Sequence, residues 1–155
     1  MERYLKIETQ DGKDIMRFDS DYFESLNIAF DSEDNTKSKI DKIDNMLTIK
    51  GTLGEKARSE SSKLAEWALM SSTDKAAYRK VYIWIVGDDD KIFRHMVYSY
   101  CFIVDYVEKF GSDEDGNEKD ATFELKLKQK ADKLGEITIS SEPLRFDALK
   151  NGFGK

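Results

Sequence analysis

The sequence is poor in the residues that build disulfides, zinc sites and membrane spans. It has one cysteine, Cys101, and one histidine, His95, among 155 residues, so neither an internal disulfide nor a Cys/His zinc site can form. No run approaches the ~20 apolar residues of a transmembrane helix, and the opening MERYLKIETQ lacks the basic and apolar regions of a secretory signal. We therefore expect no membrane insertion and a protein made and kept in the cytoplasm.

Positive charge is also in the minority. The chain carries 25 lysine and arginine residues against 31 aspartate and glutamate residues, a formal net charge of −6. This balance argues against nucleic acid as a partner. Hydrophobic residues make up 39% of the chain, which is sufficient for a core, so we expect a single domain over residues 1–155 that needs no disulfide or metal to fold.

The apolar pattern is mainly that of β-strands. Residues alternate between two faces in RKVYIWIVG (79–87) and, with one clearly polar face, in FELKLKQ (123–129). Asp11 and Gly12 separate two alternating segments near the N-terminus, which predicts a hairpin with a tight turn. Together these segments indicate a mainly β, antiparallel fold.

One helix interrupts the β pattern. The spacing predicts a helix over residues 59–72, because its apolar residues recur on one face and hydroxyl side chains that can cap it stand at its start. That apolar face comprises Leu64, Trp67, Ala68 and Leu69. Two further segments are outside this pattern: residues 31–45 are predicted to be an exposed loop or arm, and residues 142–155 a C-terminal tail.

The segment YSYCFIVDYVEKF, residues 98–110, is unusual because Tyr100 to Val104 are apolar on both faces. A surface strand normally keeps one wet face, so a second partner must cover the other. The helix of the same chain and a neighbouring subunit are both consistent with the sequence. The pattern also runs unbroken from 91 to 110, which predicts a bend or bulge near Ser99 and two strands rather than one.

Motifs for ligand binding fail on spacing. If Gly116 were the sixth residue of an EF-hand loop, Gly111 and Thr122 would stand where carboxylates are required. The glycines of GTLGEKARS are three residues apart where a P-loop needs five. Asp88 to Asp90 fit a turn better than a cation site. We expect no catalytic residue, no cofactor and no metal.

The two rare reactive side chains are also predicted to be structural. Cys101 is flanked by Tyr100 and Phe102, an apolar setting that keeps a thiol protonated and inert. His95 has no nucleophile or carboxylate placed beside it by the local sequence, and the chain has no G-x-S-x-G motif.

The order of elements resembles a known family. A β-rich N-terminal half precedes a helix containing LAEWAL, and a β block follows with RKVYIWI, IFRHMVYSYCFIVDYVEKF and FELKLKQKADKLGEITI. Within this block, YSYCFIVDYVEKF followed by a polar loop and FELKLKQKA is similar to a strand pair of the Hcp family. These are the tube proteins of type VI secretion, with relatives in phage tails and other contractile injection systems. The resemblance extends from about Ile49 to Ile139.

This resemblance implies an antiparallel β-barrel of tail-tube type with one amphipathic helix packed alongside, acting as a non-enzymatic structural subunit. Such subunits form six-membered rings that stack into the inner tube, which a contracting sheath drives outward. The implied partners are copies of the chain itself, sheath, baseplate or spike proteins, and cargo in the lumen; the particle is assembled in the cytoplasm and can be exported. The residues expected in the core or at the subunit interface are Trp67, Trp84, Tyr100, Phe102, Val104 and Tyr106.

Two other functions stay open at this point. A monomeric β-barrel module could bind a small apolar ligand or a protein partner, with its aromatic strands lining a cavity. An enzyme with an unrecognised carboxylate site would rely on Asp105, Glu108 and His95.

Overall fold

The computed structural model describes residues 1–32, 43–55 and 58–146. The described part contains one α-helix, α1, and eight strands, with short 3₁₀ segments at three of the connections. In chain order these elements are β1 (Glu2–Glu8), β2 (Ile15–Phe18), β3 (Phe23–Ser32), β4 (Ile43–Thr52), α1 (Arg58–Ala68), β5 (Arg79–Val86), β6 (Ile92–Ser112), β7 (Glu118–Gln129) and β8 (Thr138–Ser140). The predicted class, mainly antiparallel β with one helix, is confirmed.

All strands belong to one antiparallel sheet. Its order is β2-β1-β5-β6-β7-β4-β3, and the short strand β8 pairs with residues 95–97 of β6, on the edge opposite to β5. The sheet is not closed: in the described ranges, no ladder joins the end strands β2 and β3. It curls instead, so that the ring of Phe18 on β2 lies 6.1 Å from that of Phe123 on β7. The expected barrel is therefore corrected to an open, curled sheet.

Alternation along each strand places the core on the inner face of this curl. Leu125 and Leu127 of β7 are fully buried, whereas their neighbours Glu124 and Lys126 point to the other face and are partly exposed. Burying one face removes apolar surface from water, and this stabilises the fold by about 25 cal/mol for each Å² of apolar surface buried. The N-terminal hairpin is also confirmed: β1 pairs with β2, and Gly12 supplies the positive φ of +73° that its turn requires.

Helix α1 packs against the core and protects one edge of the sheet. Leu64 and Trp67 are buried, and the Trp67 indole N–H donates to the Ala77 carbonyl at 2.9 Å. Glu60 accepts the backbone N–H of Arg17 in the edge strand β2 at 3.0 Å. Side-chain partners of this kind satisfy backbone groups that an edge strand would otherwise expose.

Several predicted boundaries need correction. The helix comprises Arg58–Ala68 rather than 59–72, and Leu69, predicted on its apolar face, is 87% exposed. The polar segment 31–45 is strand at both ends, because β3 extends to Ser32 and β4 starts at Ile43; residues 33–42 lie outside the described residues. A ladder partner across the sheet overrides a polar local sequence.

The predicted C-terminal tail contacts the domain through its first residues. Arg145 forms an isolated bridge with Lys91, and Phe146 is buried. The remainder of that tail, 147–155, lies outside the described residues.

Candidate assembly surfaces

Strand β6 is one 21-residue strand that changes partner along its length. Its first half pairs with β5 and its second half with β7. The register shifts by one residue between Tyr98 and Cys101, and again between Ile103 and Asp105. The predicted bulge near Ser99 is confirmed, but the predicted division into two strands is wrong, because bulges bend a long strand without ending its pairing.

The inner face of β6 belongs to the main core. Tyr98 and Cys101 are buried there, with the side chains of Leu64 and Trp67 from α1 in the same cluster. Burial raises the pKa of the Cys101 thiol, so this group stays protonated and unreactive at neutral pH. The helix therefore packs on the inner face of β6, and the second apolar face needs another partner.

Part of that second face is covered by the C-terminal segment. On the outer side of the sheet, the Phe146 ring lies 6.2 Å from that of Trp84 and 4.3 Å from that of Tyr4. His95 stacks on Trp84 at 4.8 Å, and its Nδ1–H donates to the Ile83 carbonyl at 2.8 Å. Trp84, Val86, Ile92 and Phe146 form this second buried cluster. Sequence reasoning missed Phe146 because it stands in a polar tail.

The outer face of the second half of β6 stays open to solvent. Phe102 is half-buried, with an edge contact to the Tyr78 ring at 6.1 Å. Val104, the extra residue of the second bulge, is 45% exposed, and Val107 is also exposed. We call Phe102, Val104 and Val107 the outer apolar strip. Among the described residues, no other hydrophobic cluster packs over it.

The six predicted core or interface residues thus separate into different places. Trp67 lies in the main core and Trp84 in the second cluster, while Tyr106 packs against the main core and donates its hydroxyl to Glu108 at 2.6 Å. Tyr100 is half-buried, with the Lys133 amine 5.3 Å from its ring. Only Phe102 and Val104 lie together on the surface. They remain interface candidates.

The three residues of the hypothetical carboxylate site do not converge. His95 and Asp105 are ten residues apart on β6, roughly 30 Å along a strand. Asp105 pairs with Lys126 across the ladder, and Glu108 accepts the Tyr106 hydroxyl. Residues this far apart cannot act on one reacting group.

The described residues contain no group of three or more His, Cys, Asp and Glu side chains able to hold a metal ion. No helix in this part of the chain is long and apolar enough to cross a membrane. The Asp113 carboxylate, in the loop that resembles an EF-hand, accepts the backbone N–H groups of Asp115 at 3.0 Å and Asn117 at 2.9 Å. It stabilises the turn between β6 and β7.

A hairpin arm projects from one end of the β6–β7 ladder. The pairing of β7 with β4 ends at Thr122. In residues 109–120, which we call the hairpin arm, the only ladder among the described residues is the one between β6 and β7. Phe110 on this arm is 71% exposed. The arm also carries five carboxylates and only two lysines. It is an exposed acidic projection with one large apolar side chain.

An apolar groove of about 240 Å³ lies at the opposite end of the same ladder. It is formed by the end of β3, the start of β4, the 3₁₀ segment Ala131–Glu136 and β8. We call it the apolar groove, and its lining residues are Phe30, Ile43, Leu134, Ile137 and Ile139. Three of these side chains are exposed, which is typical of an interaction surface. Sequence reasoning missed the groove because its residues come from three separate segments.

No protein-family model matches the sequence, and no curated protein matches it. Solved structures do. Hcp1 from Flavobacterium johnsoniae matches with a TM-score of 0.56 at 12% identity, over 94% of this chain and 99% of that chain. A chain of the anti-feeding prophage baseplate matches with a TM-score of 0.54 at 10% identity, over 92% and 94%.

A third match is a chain from the sheath-tube complex of an extracellular contractile injection system, PVC, in its extended state. Its TM-score is 0.51 at 11% identity, and the match covers 88% of both chains. At such low identity, these likenesses show the fold. The chain has an Hcp-like tube-protein fold, which confirms the resemblance inferred from the sequence.

Proposed function

We propose that this chain is a non-enzymatic structural subunit that forms stacked rings, making the inner tube of a contractile injection apparatus of the type VI secretion or phage-tail-like kind. One observation carries the proposal: over nearly its whole length, the chain shares its fold with Hcp1 and with a chain of a sheath-tube complex. Fold alone does not determine function, so the exposed surfaces have to support the same conclusion.

Those surfaces suit a subunit that associates with copies of itself. A ring requires each subunit to bury two different patches, one against each neighbour. The outer apolar strip and the apolar groove are two distinct exposed apolar patches on separate parts of the sheet. We infer that subunit contacts cover them, and that Phe102 and Val104 lie in such a contact.

The further partners follow from this role. We propose six-membered rings, contacts with sheath and with baseplate or spike proteins, and a lumen able to hold cargo. Assembly would take place in the cytoplasm, with export of the finished particle. The net charge of −6 gives no reason to add nucleic acid to these partners.

The ligand-binding alternative has weaker support. A lipocalin-like module needs an internal cavity, whereas the inside of this sheet is filled by a continuous cluster of buried side chains from seven strands, among them Ile7, Ile49, Ile83, Tyr98 and Leu125. The enzyme alternative loses its site, because Asp105, Glu108 and His95 lie apart.

Size-exclusion chromatography with light scattering tests the proposal on the full chain. We expect a species near six times the 17.9 kDa of one chain. The variant Val104→Asp should shift this species toward the monomer, whereas Glu24→Gln, an exposed change on the edge strand β3, should not. A chain that elutes as a monomer across a wide concentration range would contradict the proposed function.

A further inference from the structure

We propose that Met70 is a site of reversible oxidation by peroxide, and that the guanidinium of Arg79 binds the sulfoxide oxygen that this reaction adds. Three features of the structure point to this site: the contact between the two side chains, a donor of the arginine that is not used, and the exposure of the sulfur-bearing side chain. This chemistry is independent of the proposed tube function.

Arg79 places a buried guanidinium directly beside the Met70 sulfur. Arg79 is 2% exposed, and its Nη2 lies 3.8 Å from Met70 Sδ. The heavy atoms of an N–H···O hydrogen bond are closer, about 2.9 Å apart, so an oxygen atom bonded to the sulfur can fill the difference. The oxygen of a sulfoxide at Met70 can therefore accept a hydrogen bond from Arg79.

The same guanidinium has a donor that is not used. Its Nε donates to the Ala76 carbonyl at 2.9 Å, but its Nη1 has no hydrogen-bond acceptor among the described residues. The Asp14 carboxylate is 3.9 Å from Nη1, an ion-pair distance that is too long for a hydrogen bond. A buried N–H group without an acceptor destabilises the fold, so a new acceptor at this point would stabilise it.

Trp67 fixes the positions of both residues. The backbone N–H of Met70 donates to the Trp67 carbonyl at 3.1 Å, just after α1 ends. The Arg79 guanidinium lies over the Trp67 ring, 5.2 Å from its centroid. Because the planar guanidinium is already oriented, little conformational entropy is lost when it binds a new oxygen.

Peroxide can reach Met70, whereas two other methionines are enclosed by the core. Met70 is partly exposed, but Met16 and Met96 are 0% and 2% exposed. A methionine sulfoxide normally disrupts apolar packing, because a flexible apolar side chain becomes polar. At Met70 the adjacent guanidinium offsets this cost.

The reaction consumes one hydrogen peroxide molecule for each sulfoxide. The sulfur lone pair attacks one peroxide oxygen, and the S–O bond forms as the O–O bond breaks. The proton of the transferred oxygen moves to the departing hydroxide, which leaves as water. Sulfur loses two electrons and peroxide gains them. Methionine sulfoxide reductases reverse the change.

Peroxide treatment of the full chain tests the site. The background is Met46→Leu, which removes the other partly exposed methionine. Peptide mass spectrometry should find oxygen added at Met70 and at the exposed Met1, and none at Met16 or Met96. The midpoint of thermal unfolding should rise by roughly 2–4 °C, the scale of one hydrogen bond in a chain of this length. The matched control Met46→Leu/Met70→Leu should not shift.

Arg79→Leu in the Met46→Leu background tests the assigned donor. Leucine fills the buried site without a charge, and oxidation of this variant should lower the midpoint instead of raising it.

A second comparison keeps Arg79 intact. Met70→Gln supplies an amide oxygen as an acceptor in place of the sulfoxide and should be more stable than Met70→Leu. Leu26→Gln makes the same leucine-to-glutamine comparison at another partly buried position against the same core, and it should be less stable than the parent chain.

Three outcomes would each overturn the assigned site. Met70 could stay reduced, as Met16 and Met96 do; its oxidation could fail to raise the midpoint; or Met70→Gln could be less stable than Met70→Leu. None of these readouts requires rings, so the proposed function is tested separately.

Discussion

Asn45 and Gln129 exchange two hydrogen bonds between β4 and the end of β7. The backbone N–H of Gln129 donates to Asn45 Oδ1 at 2.7 Å, and Asn45 Nδ2 donates to the Gln129 carbonyl at 3.3 Å. The Gln129 side chain also accepts the Tyr100 N–H at 2.9 Å and donates to Ser99 Oγ at 2.8 Å. Two buried amides thus connect the first bulge of β6 to the strands beside it.

Replacing Asn45 with alanine should destabilise the fold. Asn45 and Gln129 are 4% and 1% exposed, so the change would leave the backbone N–H and carbonyl of Gln129 without these partners in a buried setting. Such a loss costs about 1–3 kcal/mol per group. Urea unfolding of Asn45→Ala should show this decrease, and the exposed Asn27→Ala should stay close to the parent. Equal stability of the two variants would contradict the assigned role.

Two leucines of one region provide a matched test of helix packing. Leu64 is fully buried against the core, whereas Leu69, just after the helix, is 87% exposed. Leu64→Ala should lower the free energy of unfolding by about 2–5 kcal/mol, because it removes buried methyl groups and leaves a cavity. Leu69→Ala should change it by less than about 0.5 kcal/mol. Thermal and urea unfolding distinguish these values, and similar losses would show that α1 does not pack as described.

Val104→Asp should leave the fold intact. The sequence predicts Val104 in the core or at the subunit interface, and the structure shows that this side chain is 45% exposed at a bulge. The isolated chain should keep its circular dichroism spectrum and most of its stability, and only its self-association should weaken. Leu125→Asp is the contrast, because Leu125 is fully buried and an unpaired charge there costs several kcal/mol. Unfolding of Val104→Asp would contradict the exposed placement.

Alkaline pH should destabilise the protein through Tyr82. Burial and the hydrogen bond that its hydroxyl donates to Glu8 at 2.9 Å raise the pKa of Tyr82 from 10.0 to about 12. The folded state therefore holds this proton more tightly than the unfolded state. The contribution is complete below pH 10 and is lost as the pH rises from 10 to about 12.

Unfolding free energies measured across this pH range check that sign. Tyr82→Phe should fall less steeply above pH 10 than the parent, because it lacks the titrating hydroxyl. Glu8→Gln removes the negative charge beside Tyr82 and should lower the pH at which this phenol ionises, as followed by phenolate absorbance. A Tyr82→Phe variant with the same alkaline slope as the parent would exclude this contribution.

The strands were predictable where alternation runs undisturbed. A period of two assigns the residues of β5 and β7 directly to two faces. The turn at Asp11-Gly12 was also predictable, because glycine readily adopts the positive φ that it requires. Alternation fails at Val104, because an inserted bulge residue shifts the parity of everything after it. The local sequence also failed to predict the burial of Asn45, because its hydrogen-bond partner Gln129 is 84 residues away in the chain.

The candidate surfaces were less predictable than the fold. The sequence predicts Phe102 as an interface candidate because it stands in a strand that is apolar on both faces. Phe146 and the apolar groove were missed, since residues from separate polar segments become neighbours only when β8, the C-terminal segment and the strand ends meet. Hydrophobic periodicity describes one segment at a time and does not predict contacts between segments that are distant in the sequence.

Negative-stain electron microscopy of the purified full chain tests the central claim most directly. If the chain is a tube subunit, fields should show rings with a central hole, and tubes of stacked rings at higher protein concentration. Fields that contain only single small particles at every concentration, with the chain folded by circular dichroism, would contradict it.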